Sequence, residues 1–257
     1  MTYALVTGAS KGIGKSIAEE LARRGNNVLL VSRSENLLKQ LADSLHQTYK
    51  VQTDYLVLDL ASPDAAGAIY TWYKSKGYQL NILVNNAGYG VWGKFDALSS
   101  EKQNEMLQIN MLTLVNLTHT FIPELKKLKQ SYILNIASSA AYQAVPTLSL
   151  YAASKACVLS FSRGIRIELK DAGVYVSCVC PGPTTTGFIA RAGMNASIEK
   201  KAEAFSMTAD AVARIAVQGM YKGRAEIIPG FINKITAAAT SILPKALLEA
   251  IANNLYK

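Results

Sequence analysis

The sequence predicts a single doubly wound α/β domain over residues 1–257, with helices on both faces of a mostly parallel seven-stranded sheet. Two observations carry this prediction. Short apolar runs alternate along the chain with amphipathic segments of helical length, as they do in successive βαβ units. No linker-like stretch or internal repeat interrupts the alternation, and 257 residues are compatible with one large domain.

Seven apolar runs have the length and composition of buried strands. They are Tyr3–Thr7, Val28–Val31, Tyr55–Leu58, Leu80–Val84, Tyr132–Ala137, Val174–Val179 and Ala225–Ile228. After the first run, Ile13, Ile17 and Leu21 recur every four residues and Gly25 follows them, which predicts a helix ended by a glycine. Leucines spaced over 37–45 predict a second helix before the third run.

Composition excludes several classes of protein. Half of the residues are hydrophobic and 18% are charged, so the chain can bury a core. The net charge of 27 − 18 = +9 is scattered without a basic tail, and we therefore expect no nucleic-acid partner. The longest uncharged stretch, 130–154, is too polar to cross a membrane. No basic segment precedes an apolar one at the N-terminus, so we expect no secretory signal.

The three cysteines indicate a reducing compartment. Cys157, Cys178 and Cys180 form no CxxC pair, and we interpret all three as small buried hydrophobic side chains. The predicted location is the cytoplasm. His46 and His119 match no metal-ligand spacing, so the sequence predicts no metal site.

A glycine-rich loop, TGASKGIG at residues 7–14, joins the first strand to the first helix. Gly8 permits a tight turn, Gly12 allows the backbone to approach a pyrophosphate, and Gly14 allows the helix to pack closely on the sheet. Phosphates would then lie at the N-terminus of the helix, where free N–H groups favour an anion. A purely structural glycine loop is the alternative.

The residues after the second and third strands bear on the choice of cofactor. Arg33 follows the second strand, where an acidic residue would bind a ribose 2′-hydroxyl and repel a 2′-phosphate. Arg33 and Lys11 are suited to a 2′-phosphate, which predicts NADP(H) rather than NAD(H). The alternative is that Arg33 is a solvated surface cation. Asp59 either accepts a hydrogen bond from the adenine amino group or caps the helix that follows.

Three further residues have the chemistry of a carbonyl site. Tyr151 and Lys155 are four residues apart, so on a helix they share a face; the alternative is a pair that serves packing alone. A cation near a phenol stabilises the phenolate and lowers the pKa of Tyr151. Ser138 stands thirteen residues before Tyr151, after a predicted strand, and would hydrogen-bond a carbonyl oxygen.

The glycine loop, Ser138, Tyr151 and Lys155 occur in the sequence together with further short motifs. The sequence resembles the compact one-domain branch of the short-chain dehydrogenase/reductase family, in which the fold is of the Rossmann type. The resemblance rests on the 7–14 loop, NNAG at 85–88, Asn110, Ser138, YAASK at 151–155 and PGPTTT at 181–186. It implies hydride transfer between a nicotinamide cofactor and a carbonyl or alcohol, and it covers nearly the whole chain.

The resemblance also implies residue roles. Tyr151 is the general acid/base, Ser138 positions the substrate oxygen, Lys155 binds the nicotinamide ribose and Asn110 anchors a water next to Lys155. The alternative for Asn110, which stands in an apolar helical run, is a hydrogen-bonded asparagine of the core. Thr186 holds the nicotinamide carboxamide. The full set of predicted cofactor contacts is Gly8, Ser10, Lys11, Gly12, Ile13, Gly14, Arg33, Asp59, Leu60, Asn86, Ala87, Gly88, Tyr151, Lys155, Pro181, Gly182, Thr184 and Thr186.

Two segments are expected to shape the substrate site. Residues 184–207 correspond to a mobile lid in the family, and this segment contains Phe188, Gly193, Met194, Phe205 and Met207. The predicted facing wall consists of Tyr89, Trp92, Tyr142 and Val145, and the alternative is that these aromatic residues belong to the ordinary core. Residues 235–257 form an amphipathic extension that resembles the branch with acyl-chain and steroid ketone reductases. This extension packs on its own domain, forms a subunit contact, or lies on a membrane surface, the last being the least expected.

The predicted function is therefore NADP(H)-dependent reduction of a hydrophobic ketone or aldehyde by a homodimer or homotetramer. The competing interpretations are a non-catalytic NADP(H)-binding sensor and another reaction on the same scaffold, such as epimerisation or dehydration.

Overall fold

A computed structural model describes residues 2–195, 198, 200, 205–240 and 242–255. The strands of its main sheet are β1 (Thr2–Thr7), β2 (Asn27–Ser32), β3 (Thr53–Val57), β4 (Gln79–Asn85), β5 (Ser131–Ile136), β6 (Val174–Val179) and β9 (Glu226–Ile227). These seven strands lie in the order β3-β2-β1-β4-β5-β6-β9, and every pairing between them is parallel. The predicted doubly wound Rossmann-type fold is confirmed, and all seven predicted strands are present.

Helices connect the strands and cover the sheet. They are α1 (Gly12–Arg23), α2 (Glu35–Tyr49), α3 (Ala65–Ser75), α4 (Ser100–Leu107), α5 (Leu114–Leu125), α6 (Ser149–Leu169), α7 (Phe188–Ala192), α8 (Ala209–Tyr221), α9 (Phe231–Ala239) and α10 (Lys245–Leu255). The two helices predicted from leucine and isoleucine spacing correspond to α1 and α2. None of the helices in the described part of the chain has the length and apolarity needed to cross a membrane.

Successive residues along a strand enter apolar clusters on opposite faces of the sheet. On β1, Ala4 and Val6 pack with residues of α1, α2 and α8, whereas Leu5 packs with residues of α3, α5 and α6. This follows from the two-residue period of a strand, which sends successive side chains to opposite faces. Burial on both faces explains why these strands are almost continuously apolar.

A second, two-stranded parallel ribbon was not predicted. It pairs β7 (Thr184–Thr185) with β8 (Met207–Thr208), and the Thr185 and Ser206 hydroxyl oxygens are 3.1 Å apart. The ribbon joins the two ends of the predicted lid, 184–207. Residues 196, 197, 199 and 201–204 of that segment lie outside the described residues, as do 241, 256 and 257 of the predicted C-terminal extension.

One interpretation of the cysteines is wrong. Cys178, on β6, and Cys180, directly after this strand, are buried as expected, but Cys157 is half-buried on α6. The three thiols are free.

Candidate active site

A cavity of about 680 Å³ opens at the carboxyl ends of the strands. It is lined by residues that follow β1, β2, β3, β4, β5 and β6, such as Gly8, Arg33, Asp59, Asn86 and Ser138. The strand order reverses between β1 and β4, and a ligand crevice forms at such a switch point because the connections on either side diverge. The sheet topology therefore accounts for the position of the cavity.

The glycine loop is a cradle that leaves no room for a side chain at its three glycines, Gly8, Gly12 and Gly14. Gly8 and Gly12 have φ values of +64° and +57°, which residues other than glycine rarely adopt. A Cβ atom on Gly8 would lie 2.9 Å from the Ala87 Cα, and one on Gly12 would lie 3.0 Å from the Thr186 Cβ. A Cβ on Gly14 would run into the Gly8 carbonyl oxygen. This backbone-lined groove at the start of α1 fits the pyrophosphate of a dinucleotide.

Side-chain hydrogen bonds fix the glycine loop to the segment after β4. The Thr7 hydroxyl oxygen accepts a hydrogen bond from the Asn86 N–H at 3.0 Å, and the Asn86 Nδ2 donates to the Thr7 carbonyl at 2.9 Å. Asn86 also donates to the Gly8 carbonyl at 3.2 Å. Asn86 therefore fixes the position of the glycine loop relative to the segment after β4.

Arg33 and Asp59 form an ion pair at the far end of this groove. The Arg33 Nη1 lies 3.7 Å from the Asp59 Oδ2, and both side chains are about half exposed, at 51% and 52%. The other carboxylate oxygen of Asp59 accepts a hydrogen bond from the Ala61 N–H at 3.0 Å. Asp59 is not a helix cap, because α3 begins only at Ala65; that alternative is wrong.

At the opposite end, Ser138, Tyr151 and Lys155 line one stretch of the cavity. Helix α6 presents Tyr151 and Lys155 on one face, and the Lys155 Nζ lies 5.8 Å from the centre of the Tyr151 ring. Ser138 follows β5 and its hydroxyl oxygen accepts a hydrogen bond from the Ala140 N–H at 3.1 Å. A hydroxyl, a phenol and an amine thus converge on the same space.

Lys155 is buried to an unusual degree for a lysine, with 4% of its surface exposed. Its Nζ donates a hydrogen bond to the Ile136 carbonyl at 3.0 Å. Burial disfavours the charged form and lowers the pKa of Lys155 to about 8. The amine can therefore change its charge within a few pH units of neutrality.

Asn110 lies behind the cavity wall rather than in it. It is fully buried in a π-helical turn, Gln108–Thr113. Its Oδ1 accepts a hydrogen bond from the Tyr89 N–H, and its Nδ2 donates to the Tyr89 carbonyl, both at 3.0 Å. The Nδ2 also donates to the Ser154 hydroxyl at 3.1 Å. Asn110 thus joins the segment after β4 to the helix that carries Tyr151 and Lys155.

Most of the predicted site residues line this one cavity. Only Gly14 and Asn110 do not: the first supports the loop from beneath, and the second supports Tyr89. Among the described residues, no group of three His, Cys, Asp or Glu side chains is arranged to hold a metal ion.

The predicted substrate wall needs correction. Tyr89, Phe188 and Met194 line the cavity, but the other six predicted members do not: Trp92, Tyr142, Val145, Gly193, Phe205 and Met207. Val145 is buried in an apolar core, against which Trp92 packs, and the Tyr142 hydroxyl donates to Glu226 at 2.7 Å. Phe205 is 62% exposed. Whether a residue is aromatic or apolar therefore does not show whether it lines the cavity or lies in the core.

Several residues at the cavity were not predicted from the sequence, and two of them illustrate why. Arg191, on α7, lines it. Asn233, on α9, packs so closely on the backbone at Gly182 that a Cβ atom there would overlap its side chain. Neither residue belongs to a motif, and only the packing of distant segments brings them to the site.

Comparison with known proteins assigns the family. Residues 2–196 match the family model described as short chain dehydrogenase. A short-chain dehydrogenase from Sphingobium yanoikuyae, solved in complex with NADPH, is 29% identical with a TM-score of 0.82; the match covers 96% of this chain and 98% of that chain.

Two curated relatives differ in what their names say of activity. The Very-long-chain 3-oxoacyl-CoA reductase-A of Danio rerio is 37% identical over 183 residues, and the Inactive hydroxysteroid dehydrogenase-like protein 1 of Homo sapiens is 35% identical over 192 residues. The matches cover 70% and 73% of this chain but only 57% of each relative. From the family match and the shared fold, the chain belongs to the short-chain dehydrogenase family of oxidoreductases.

Proposed function

We propose that the protein reduces the ketone or aldehyde group of a hydrophobic small molecule to an alcohol, with NADPH as the cofactor. One observation carries this proposal: Ser138, Tyr151 and Lys155 converge on a cavity whose other end is the glycine cradle with Arg33. A site for a carbonyl oxygen and a site for a dinucleotide are thus parts of one space.

The side chains supply the proton and the charge stabilisation. The hydride for the carbonyl carbon would come from NADPH when it is bound. Ser138 donates a hydrogen bond to the carbonyl oxygen, which gains negative charge during reduction. Tyr151 transfers its phenolic proton to that oxygen, and the Lys155 ammonium, 5.8 Å from the ring centre, stabilises the phenolate left behind.

Binding of the cofactor depends on contacts at both ends of the groove. The backbone at Gly8 and Gly12 and the start of α1 would hold the pyrophosphate. Arg33 and Lys11, which both line the groove, would favour the 2′-phosphate that distinguishes NADPH from NADH. The NADPH complex of the Sphingobium yanoikuyae relative supports this choice.

The apolar part of the cavity lining supports a hydrophobic substrate. The Phe188 ring lies 5.3 Å from the Tyr151 ring between ring centres. Further apolar side chains line the cavity: Leu148, Ile189, Met194 and Ile198. An apolar pocket with a few convergent polar groups is typical of small-molecule sites. A 3-oxoacyl thioester fits this description and agrees with the name of the Danio rerio relative, and a steroid-like ketone is equally apolar.

The test is NADPH oxidation, followed by absorbance, with hydrophobic ketones, 3-oxoacyl thioesters and steroids, and with NADH in parallel. We expect turnover with NADPH and little with NADH. In an Arg33→Ala variant, loss of one charge-assisted contact should weaken NADPH binding about 10–100-fold and affect NADH far less. A wild-type preference for NADH would contradict the role of Arg33 and leave that of Tyr151 intact.

A non-catalytic NADP(H)-binding role is the second candidate, because one of the relatives is named inactive. Tight NADPH binding without turnover across the panel would favour it. The presence of Ser138, Tyr151 and Lys155 in one cavity favours catalysis. The cytoplasmic location and the homodimer or homotetramer stay predictions.

A further inference from the structure

A chain of four buried polar side chains runs from helix α6 across two strands to helix α5. They are Ser162 on α6, Asn135 on β5, Asn85 on β4 and Thr118 on α5, and each is at most 2% exposed. Asn85 and Asn135 are direct neighbours in the parallel pairing of β4 with β5. Burial of polar groups is unfavourable unless they are hydrogen-bonded, so such a chain is costly to place inside a protein.

Hydrogen bonds join each of these side chains to the next. The Asn135 Nδ2 donates to the Ser162 Oγ at 2.9 Å, and the Asn135 Oδ1 accepts from the Asn85 Nδ2 at 2.9 Å. The Asn85 Nδ2 also donates to the Thr118 Oγ1 at 3.0 Å. Each hydroxyl donates in turn to a backbone carbonyl one turn earlier on its own helix, at 2.6 Å for Ser162 and 2.8 Å for Thr118. Directional bonds therefore connect α6, β5, β4 and α5.

Strand β5 and helix α6 together carry the three side chains that the proposed reaction needs. Ser138 follows β5, whereas Tyr151 and Lys155 lie on α6. The position of α6 on β5 therefore decides whether a carbonyl oxygen can meet the Ser138 hydroxyl and the Tyr151 phenol at once. A displacement of about 1 Å, even one caused far from the reacting atoms, can lower a rate about 100-fold.

The chain of polar side chains holds α6 on β5 at a second place, away from the cavity. At the cavity end of α6, the Lys155 Nζ donates to the Ile136 carbonyl at 3.0 Å, and Asn110 binds the same end of the helix. Ser162 comes seven residues after Lys155, roughly 10 Å further along the helix axis. Its bond to Asn135 is directional, unlike apolar contacts, so it restrains both the tilt and the rotation of α6.

We propose that Asn135 positions helix α6 for catalysis through its bond to Ser162. The bond fixes α6 on β5, so that Tyr151 and Lys155 stand opposite Ser138. This inference rests on the proposed function, because it takes these three side chains as the reacting groups. Asn135 does not line the cavity and acts through the helix alone, which makes it a positioning residue.

Two variants that each remove one acceptor from the chain test the proposal. Ser162→Ala removes the acceptor of Asn135 on α6, and Thr118→Val removes an acceptor of Asn85 on α5. Each leaves one buried amide N–H unpaired, so both should lower the midpoint of urea unfolding by a similar amount. Of the two helices only α6 carries reacting groups, so Ser162→Ala should lower kcat about 10-fold or more and Thr118→Val less than about 2-fold. NADPH dissociation constants should stay within about 2-fold in both variants, because the lost interaction serves the chemical step.

Two milder substitutions at Ser162 grade the effect and serve if Ser162→Ala does not fold. Ser162→Thr keeps the hydroxyl and should restore most of the wild-type kcat. Ser162→Cys puts a weaker acceptor of similar size in the same place and should give an intermediate kcat. A merely structural role predicts instead that kcat per folded protein keeps its wild-type value in every variant.

Amide hydrogen exchange follows helix α6 without any substrate. We expect the amides around Tyr151 and Lys155 to exchange about 10-fold faster in Ser162→Ala than in Thr118→Val, at equal global stability, because the first loosens the helix that carries them. This measurement requires neither turnover nor cofactor.

The outcomes separate this inference from the proposed function. If the wild type reduces no ketone of the panel, the proposed function is wrong, and equal hydrogen exchange in the two variants would overturn the positioning of α6 as well. If the wild type is active, equal losses of kcat in Ser162→Ala and Thr118→Val, or no loss in either, would restrict Asn135 to a structural role while the proposed function stands.

Discussion

The carboxyl edge of the sheet and the C-terminal helices α9 and α10 differ in how tightly their residues are constrained. At the sheet edge, glycines at 8, 12 and 14 stand where a single added methyl group would meet other atoms. The C-terminal segment instead leaves many large apolar side chains exposed: Phe231, Ile232, Ile235, Ile242, Leu243, Leu247 and Ile251. The comparison teaches that substitutions should have large effects in the first region and small ones in the second.

Tyr151→Phe should produce the largest effect. The variant lacks the phenolic hydroxyl that donates the proton, so turnover should fall about 10²–10⁴-fold, the usual contribution of a general acid. NADPH affinity should change little, because the ring remains. Turnover is measured with the best ketone of the panel, and affinity by fluorescence.

Tyr142→Phe is the matched control for this substitution. The Tyr142 hydroxyl donates to Glu226 outside the cavity, so its loss should cost stability but leave turnover within a few-fold. Equal losses of turnover in the two variants would show that neither hydroxyl is the proton donor.

Lys155→Met tests the burial of a charge at the sheet edge. The pKa of Lys155 is about 8 in the folded protein, against the ordinary 10.5. Below pH 8 the amine is protonated in both states, and its burial costs the folded state roughly 3 kcal/mol as an upper figure. The variant should therefore be more stable than the wild type at pH 7 while it loses turnover.

The stability gained by Lys155→Met should depend on pH. Between pH 8 and 10.5 the folded protein binds fewer protons at Lys155 than the unfolded chain does, so wild-type stability rises with pH. The gain of the variant should shrink over this window and vanish above it. Urea unfolding at several pH values measures the difference, and Lys39→Met, at an exposed position on α2, is the control. A gain that stays constant from pH 7 to 10.5 would contradict the low pKa.

Gly14→Ala compares two helical glycines. A Cβ on Gly14 would meet the Gly8 carbonyl oxygen and the Asn86 side chain, so we expect a loss of about 1–3 kcal/mol in the free energy of unfolding. Gly164, on α6, has no atom within 4 Å of such a Cβ. Gly164→Ala should stabilise the protein by about 0.5–1 kcal/mol. If both variants gained stability, the close packing of the glycine loop would be refuted.

The sheet and most of the cavity lining could be predicted from the sequence because their signals are local. Each strand appears as an apolar run, and Gly8, Gly12, Tyr151 and Lys155 belong to short motifs whose spacing is dictated by backbone or helix geometry. Asn110 was found only through the resemblance. In the structure its side chain supports Tyr89 through two hydrogen bonds that no periodicity marks.

The missed residues depend on contacts between segments far apart in the chain. Arg191 reaches the cavity because α7 docks on the loop that holds Tyr89, about a hundred residues earlier. Asn233 reaches Gly182 because α9 packs beside the segment after β6. Trp92, Tyr142 and Val145 were misassigned for the same reason: which way an aromatic or apolar side chain points is decided by such packing and not by its type.

Leu247→Ser should have the smallest effect on stability, and Leu248→Ser, at the next residue of α10, is its control. Leu247 is 47% exposed on α10 whereas Leu248 is 8% exposed. If the outer face of α10 meets only water, Leu247→Ser should change the free energy of unfolding by less than about 0.5 kcal/mol. Leu248→Ser loses the burial of a leucine and should cost at least about 1.5 kcal/mol. Similar losses at both positions, together with an unfolding midpoint that rises with protein concentration, would mean that a second copy of the chain covers this face, since association stabilises the folded state by mass action.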